Sequence, residues 1–451
     1  MAGPIALLVL LCASVCAPAA VGRGGAPQYP AGAARPAIPA ASLKPARSGS
    51  QAETTASPAH AKPARSRSQA ESAASPSSRK PAHARKTKPG LHGDPARALL
   101  AYKAMQQYFY IQGTGLYKGE PYSYLWPFSQ ALAATVSAAH ISGQARPLAG
   151  DLHARLYGLQ RYLEKPAEPT SSEQSTAASV APPASFAGTV APPLGAGGPS
   201  YYDDNEWVGL ELARVYELNG EASALAQAKQ IMAFVMAGWE TVNPTSGKPL
   251  PCPGGVPFSN AEANTSRNTV TDAPAVELGV VLYRITRDPQ YLSFAQMAYA
   301  WVRQCLLAAN GMYADHIQNN GEIEPMQWSY NQGSMMGAGA LLYQATGDGA
   351  YLYDARQTAK AALAYYTTEK LELENPFFAC VYFRNLLYLD SVTRDPPGAK
   401  LVQAYVDYAW ENLRVSGTLF VSGSPSTSTL LGQAAIVQLY ALLSTPARTY
   451  F

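Results

Sequence analysis

The sequence predicts an all-α protein built from repeated helical hairpins that close into a ring. In three segments an apolar helix ends at a tyrosine, a polar turn follows, and a second amphipathic helix begins. These tyrosines, Tyr216, Tyr283 and Tyr343, are spaced 67 and 60 residues apart. No alternation of apolar and polar residues typical of strands extends over a comparable length. Such repeats form an open solenoid or a closed ring, and glycine- and aromatic-rich links favour the ring because they would converge at one end.

The N-terminal residues are predicted to lie outside this fold. The run Ile5–Ala20 is apolar and ends in small residues, so we assign residues 1–20 to a secretory signal peptide, with an uncleaved anchor as the alternative. Residues 21–94 are rich in Ala, Pro, Ser, Lys and Arg and contain a tandem copy that starts at Lys44 and Lys62. This composition buries too little apolar surface to fold, so we predict a disordered linker.

The charge of the chain is unevenly distributed. The first 94 residues carry 12 Lys and Arg against 3 Asp and Glu, a net charge of +9, and the whole chain carries +3, which leaves −6 for the rest. The basic tail is either a solvated spacer or a segment that associates loosely with an anionic cell envelope. Export and the lack of interleaved aromatic residues argue against nucleic acid as a partner. We expect a secreted or envelope-associated monomer.

The folded domain is predicted over residues 95–451. A second Pro/Ala/Ser-rich segment at 166–200 interrupts it, and we predict a mobile loop at the lip of a cleft. Helical hairpins are predicted from the segments that begin at Ala131, Gly209, Glu277, Gly337 and Leu386.

Cysteines and histidines indicate neither a metal site nor a cofactor. Beyond the signal, Cys252, Cys305 and Cys380 permit at most one disulfide, and none belongs to a CxxC pair. The histidines are scattered, so no metal ligand set is predicted.

Four links between helices carry the candidate chemistry. They begin at Gly115, Pro199, Cys252 and Gly321, and they combine aromatic residues with Asn, Gln and Asp. A single aromatic residue is more often part of the core than of a binding surface. The aromatic and polar residues of the four links share a position before helix starts, which favours a carbohydrate cleft. Sugar rings stack on aromatic faces, and sugar hydroxyls need directed hydrogen-bond partners.

The link PSYYDDNEW contains two adjacent carboxylates. Asp203 can act as the N-cap of the following helix, with Glu206 closing a capping box, and Gly220 is placed to end that helix. The functional interpretation is glycoside hydrolysis by retention, which needs one ionised carboxylate and one protonated carboxylic acid. Crowding by a like charge raises the pKa of one member, so the pair could supply both forms. The two interpretations are compatible at one residue.

Several segments resemble glycoside hydrolase family 76, the bacterial and fungal α-1,6-mannanases. These are YYDDNEWVGL, RNTVTDAPAVELGVVLYRITRD and WSYNQGSMMGAGALLYQATGD, with FFACVYFRNLLYL as a weaker match, and the similarity extends from about Pro95 to Leu443. The resemblance implies an (α/α)6 barrel and a metal-independent, retaining endo cleavage of α-1,6-linked mannose chains. It implies Asp203 as the nucleophile and Asp204 as the acid/base.

The resemblance also implies a set of residues in or near the substrate cleft. They are Tyr202, Trp207, Asn268, Trp328, Tyr330, Asn331 and Gln332. The four links between helices add Trp126, Phe258 and Asp272 as substrate-binding candidates.

Three features depart from the family pattern. GGVPF places Pro257 and Phe258 where a tryptophan pair usually follows the glycines, and Asp272 stands where an asparagine is common. The insert that ends at Ser200 is also unusual for the family.

The function stays open among three classes. The favoured function is a secreted glycosidase acting on α-mannan or a related glycan. The alternatives are a non-catalytic glycan-binding or wall protein on the same barrel, and a transglycosylase whose covalent intermediate is intercepted by a sugar hydroxyl.

Overall fold

The computed structural model describes residues 92–164, 183–394, 397–415, 417–421 and 427–451. The predicted signal peptide and the predicted linker up to residue 91 lie outside these residues. The α-helices of the described residues are, in chain order, α1 (Asp94–Phe109), α2 (Leu125–His140), α3 (Ala149–Leu159), α4 (Tyr202–Asn219), α5 (Ala222–Ala237), α6 (Thr269–Thr286), α7 (Pro289–Leu306), α8 (Ser329–Thr346), α9 (Gly349–Tyr365), α10 (Thr368–Leu373), α11 (Pro376–Thr393), α12 (Pro397–Tyr408) and α13 (Leu430–Leu442).

Six of these helices form a closed inner ring. Helices α2, α4, α6, α8, α11 and α13 each contact the next one, and α13 contacts α2. The outer helices α1, α3, α5, α7, α9 and α12 each pack against an inner neighbour along the chain. The predicted hairpins are therefore confirmed, and the ring is closed rather than an open solenoid.

The inner helices are buried around most of their circumference. In α8 every residue from Asn331 to Leu342 is buried, and in α13 every residue is buried. A helix that is buried on all sides loses the single apolar stripe of a surface helix. Among the described residues, no helix combines the length and the apolar character needed to cross a membrane.

The links before the inner helices meet at one end of the ring. Strands β1 (Ser266–Asn268), β2 (His316–Gln318) and β3 (Ile323–Glu324) form an antiparallel sheet in that order, with Asn268 opposite His316. Strands β4 (Arg414–Val415) and β5 (Leu419–Phe420) form a separate pair. Because β1 leads directly into α6, the first sheet fixes the start of that helix.

The segment predicted as a mobile loop over 166–200 is described only in its second half, because residues 165–182 lie outside the described residues. Residues 183–200 are irregular, but Phe186 is buried in the core. Asn205 of α4 accepts a hydrogen bond from the Phe186 backbone N–H at 2.8 Å and donates to the Phe186 carbonyl at 2.9 Å. Phe186 and Asn205 therefore hold this stretch against the start of α4. The irregular course agrees with a loop, and its mobility stays a prediction.

Candidate active site

The aspartate pair lies in the first turn of α4, at the end of the ring where the links meet. The helix begins at Tyr202, with Tyr201 in extended conformation as its N-cap, and neither Asp203 nor Glu206 caps it. The Tyr202 backbone N–H donates instead to the Phe258 carbonyl at 3.1 Å. The capping-box prediction is therefore wrong, because the helix begins before Asp203 and places that residue inside its first turn. The predicted end at Gly220 is confirmed, with φ 76°.

Burial dominates the electrostatics of the pair. Asp204 is 8% exposed, and Asp203 is partly exposed with a buried Oδ1 that has no hydrogen-bond partner in the described chain. Burial raises the pKa of Asp203 to about 7. Burial and the charge of Asp203 raise the pKa of Asp204 well above its ordinary range. The site therefore favours a proton on Asp204 when Asp203 is ionised.

A third carboxylate, Asp315, lies beside the pair. Its Oδ1 accepts a hydrogen bond from Asn331 Nδ2 at 3.1 Å, and its Oδ2 is 2.8 Å from His316 Nδ1. Its charge contributes to the raised pKa of Asp203. Sequence reasoning did not select Asp315, because a single carboxylate before a three-residue strand carries no motif. The predicted cleft residue Asn331 is thus positioned near the pair, although it is fully buried.

An aromatic cluster surrounds the starts of α2, α8 and α11. The rings of Trp328 and Tyr330 are parallel at 6.3 Å, and Phe378 packs 4.7 Å from Tyr330. Trp126 lies 6.4 Å from Phe378 in a stacked arrangement and 5.4 Å from Phe377. All five rings are partly exposed. The structure thus brings three predicted residues together and adds two phenylalanines, for which the FF pair at the head of the weak FFACVYF match was a signal.

Other predicted cleft residues are turned into the protein. Tyr202 is 6% exposed and stacks on Phe234 at 4.3 Å, and Trp207 is also 6% exposed. Gln332 is fully buried and exchanges hydrogen bonds with the backbone N–H and carbonyl of Tyr313. These side chains pack within the protein, and their place in the substrate cleft stays a prediction.

The residues that depart from the family pattern hold the GGVPF link. Asp272 is fully buried and accepts a hydrogen bond from the Val256 backbone N–H, at 3.1 Å to Oδ2. Burial raises the pKa of Asp272 well above its ordinary range. Phe258 is partly exposed and its ring lies 5.4 Å from Tyr201. Asn268 is 7% exposed and its backbone N–H donates to Thr271 Oγ1 at 3.3 Å at the start of α6.

Further acids line the inside of the ring below the pair. Glu206 is fully buried, and both of its oxygens lack a hydrogen-bond partner within the described residues. Burial, followed by the charges of Asp203, Asp272 and Glu277, raises the pKa of Glu206 well above its ordinary range. Glu277 lies 3.7 Å from the guanidinium of Arg384. A neutral Glu206 avoids the cost of an unpaired buried charge.

Comparison with known proteins finds one family and consistent structural neighbours. The family described as glycosyl hydrolase family 76 matches residues 95–380. A mannan endo-1,6-alpha-mannosidase, DCW1 of Candida glabrata, is 31% identical over 87 residues, which cover 18% of this chain and 20% of that relative. The aligned part therefore spans only about a fifth of the curated relative.

The solved structures match over a larger share of the chain. The mannosidase Bt3792 of Bacteroides thetaiotaomicron is 21% identical with a TM-score of 0.66, covering 78% of this chain and 98% of its own. The GH76A α-1,6-mannanase of Salegentibacter sp. HEL1_6 is 20% identical with a TM-score of 0.62, covering 78% and 99%. An inactive variant of that enzyme, with two consecutive aspartates changed to asparagine, was solved with α-1,6-mannotriose. At these identities the neighbours establish a shared fold.

Proposed function

The chain belongs to glycosyl hydrolase family 76, and on that basis we propose that it is a secreted, retaining endo-glycosidase that cleaves α-1,6-linked mannose chains. The observation that carries the proposal is the buried pair Asp203 and Asp204 at the mouth of the ring, with the pKa of both groups raised by burial. The Salegentibacter variant supports the proposal. In that protein two consecutive aspartates are replaced by asparagine, the variant is inactive, and it binds α-1,6-mannotriose.

The proposed reaction assigns one role to each aspartate. The Asp203 carboxylate attacks the anomeric carbon and forms an ester bond, while the glycosidic C–O bond breaks and the leaving oxygen takes the proton of Asp204. The Asp204 carboxylate then takes a proton from water, whose oxygen displaces Asp203 from the sugar. Retention places the two carboxyl groups about 5 to 5.5 Å apart across the bond that is cut. Burial and the nearby charge of Asp203 favour this assignment of roles, because both raise the pKa of Asp204 and keep its proton in place.

The cleft around the pair suits a neutral sugar chain. Trp328, Tyr330 and Phe378 present partly exposed aromatic faces, on which the C–H faces of mannose can stack. Asp315, whose charge acts on Asp203, and Asn331, which donates to Asp315 at 3.1 Å, supply polar atoms. The proposed cleavage therefore takes place between an aromatic wall and a polar wall.

Secretion is supported by a disulfide. Cys252 and Cys305 are bonded, whereas Cys380 is buried and free. Disulfides persist mainly in oxidising compartments. Together with the predicted signal peptide, this supports action outside the cytoplasm, where a basic linker could associate with an anionic envelope.

Product analysis on linear α-1,6-mannan tests the proposal. Wild-type protein should release short mannose oligomers whose first-formed anomer, followed by ¹H NMR, is α. Asp203→Asn and Asp204→Asn should each lower turnover by at least roughly a hundredfold, because each removes one of the two chemical roles. Their melting temperatures should equal or exceed that of wild type, since each change removes a buried ionisable carboxyl.

Asp407→Asn is the matched control. Asp407 forms an ion pair with Arg97 and its side chain is 48% exposed, so this variant should keep full turnover. Unchanged turnover in Asp203→Asn would contradict the proposed mechanism. Product chains longer than the substrate would identify a transglycosylase, and mannan binding without any released sugar would identify a glycan-binding protein.

A further inference from the structure

A second recess lies beside the sheet β1–β2–β3, apart from the aspartate pair. This recess, which we call the sheet groove, has a volume of about 620 Å³, and neither Asp203 nor Asp204 lines it. Its lining residues are Asn243, Thr265, His316, Gln318, Asn319, Asn320, Glu322, Ile323, Glu324 and Pro325. A recess of this size falls within the usual range of small-ligand sites and can hold several sugar units.

The lining of the sheet groove is suited to neutral hydroxylated ligands. Four of its residues carry side-chain amides, which offer both donors and acceptors to sugar hydroxyls. The Oδ1 atom of one of them, Asn319, is buried and has no hydrogen-bond partner in the described chain. Among the described residues that line the groove, none is Lys or Arg, while Glu322 and Glu324 are acidic. Anionic ligands such as phosphorylated sugars are therefore disfavoured.

The sheet groove is connected to the reaction centre by two hydrogen bonds. His316 lines the groove, and its Nδ1 lies 2.8 Å from Asp315 Oδ2. The other oxygen of Asp315 accepts from Asn331 at the start of α8. On its groove side, His316 Nε2 lies 2.8 Å from Gln318 Nε2. His316 therefore belongs both to the groove lining and to the polar contacts of Asp315, the carboxylate whose charge acts on Asp203.

We propose that the sheet groove is a remote subsite that binds neutral hexose units of the glycan chain through hydrogen bonds, several sugars away from the bond that is cut. This inference rests on the proposed function, because it assigns the substrate chain a path. The described lining of the groove contains no Phe, Trp or Tyr, so the groove binds hydroxyls through amides rather than by stacking on large aromatic rings. Such binding should act mainly on affinity for long chains.

Calorimetry with a catalytically inactive protein tests the subsite directly. The Asp203→Asn, Asp204→Asn double variant is titrated with linear α-1,6-mannotriose and with α-1,6-mannohexaose. The hexaose should bind at least roughly tenfold more tightly than the triose. Adding Ile323→Trp, which fills the groove, or Gln318→Ala, which removes an amide, should abolish most of that difference.

Met297→Trp in the same background is the matched control. Met297 is 43% exposed on the outer helix α7 and Ile323 is 44% exposed, so both changes add an indole at a comparable surface site. The control should keep the full preference for the hexaose. The subsite would be overturned if Ile323→Trp lowered the affinity for the triose and the hexaose equally. It would also be overturned if Ile323→Trp left the preference for the hexaose unchanged.

The same measurement separates the subsite from the reaction. If wild-type protein does not cleave mannan but the length preference exists and depends on Ile323 and Gln318, hydrolysis is refuted and the subsite stands. If wild-type protein cleaves mannan and the hexaose gains nothing over the triose, the subsite is refuted and hydrolysis stands. If wild-type protein does not cleave mannan and neither sugar binds to the inactive variant, both proposals are refuted.

Discussion

Gly337 in α8 occupies a position where the ring leaves no room for a side chain. A Cβ atom there would lie 1.6 Å from Asn385 Oδ1 of α11 and 3.2 Å from Glu277 Oε1 of α6. Asn385 is fully buried and donates to the Val381 carbonyl at 3.0 Å, so its amide has little freedom to move. Glycine therefore permits three inner helices to approach one another at this level of the ring.

Gly337→Ala should destabilise the protein, although alanine normally favours a helix interior over glycine by roughly 1 kcal/mol. The added methyl group must displace the Asn385 amide or separate the helices, which typically costs about 1–3 kcal/mol. Denaturant unfolding measures the change. Gly349→Ala, at the open first position of α9 with nothing within 4 Å, is the control and should be neutral or stabilising. Equal stability of the two variants would contradict the close approach.

Single residues differ in how much of their position the sequence predicts. The sequence singles out the Asp203–Asp204 pair because adjacent carboxylates before an apolar helix form a recognisable pattern, and its catalytic role stays a proposal. Tyr202 and Gln332 were expected near the substrate, but they pack into the protein. In a helix buried on all sides the period no longer tells which way a side chain points. Asp315 acquires its position from tertiary contacts alone.

The link between α5 and α6 is an element held by covalent and polar contacts. The Cys252–Cys305 disulfide ties it to α7, and the guanidinium of Arg267 donates to the carbonyls of Pro251 and Cys252 at 2.8 and 2.7 Å. Further along the same link, the backbone N–H of Val256 bonds Asp272. The disulfide therefore stabilises the link that supplies part of the wall beside the start of α4.

A Cys252→Ser, Cys305→Ser double variant should lose stability. The bond closes a loop with a sequence separation of 53 residues, and loop entropy alone gives a contribution of roughly 4 kcal/mol for a loop of this size. Calorimetric unfolding with and without reductant measures it. Wild-type protein should become less stable with reductant, whereas the double variant should not respond. If reductant still lowered the stability of the double variant, the effect of reductant would come from a group other than this disulfide.

At the scale of elements, the hairpins could be predicted and their arrangement could not. Asp288 and Asp348 cap α7 and α9, and Gly220 and Gly347 end α4 and α8 in left-handed conformation, so local turn chemistry marked these boundaries. The three-stranded sheet went unpredicted, because strands of two or three residues leave no periodic signal. Closure of the ring depends on contacts between α2 and α13, which lie at opposite ends of the folded chain.

The whole ring encloses more buried acid than its buried cations can neutralise. Glu206, Asp272 and Glu277 are fully buried on α4 and α6. Arg384 lies 3.7 Å from Glu277, and the charge of Arg267 acts on Asp272. Arg384 also contacts Glu211, which is paired with Arg214 at 2.6 Å. Burial raises the pKa of Glu277 to about 8, although Arg384 opposes the shift. The folded protein therefore holds protons that the unfolded chain would release at neutral pH.

This excess of bound protons predicts that stability falls as the pH rises. A carboxyl whose pKa is raised on folding contributes its stability below its unfolded pKa and loses it as the pH rises through its folded pKa. For Glu277 that window runs from about 4.5 to about 8, and burial extends the same trend to Glu206. The melting temperature should thus be higher at pH 5.5 than at pH 8.5. Glu206→Gln, which stays neutral, should shrink this difference, whereas Glu217→Gln on the partly exposed side of α4 should preserve it. A melting temperature that rises from pH 5.5 to pH 8.5 would show that the buried acids are ionised in the folded ring.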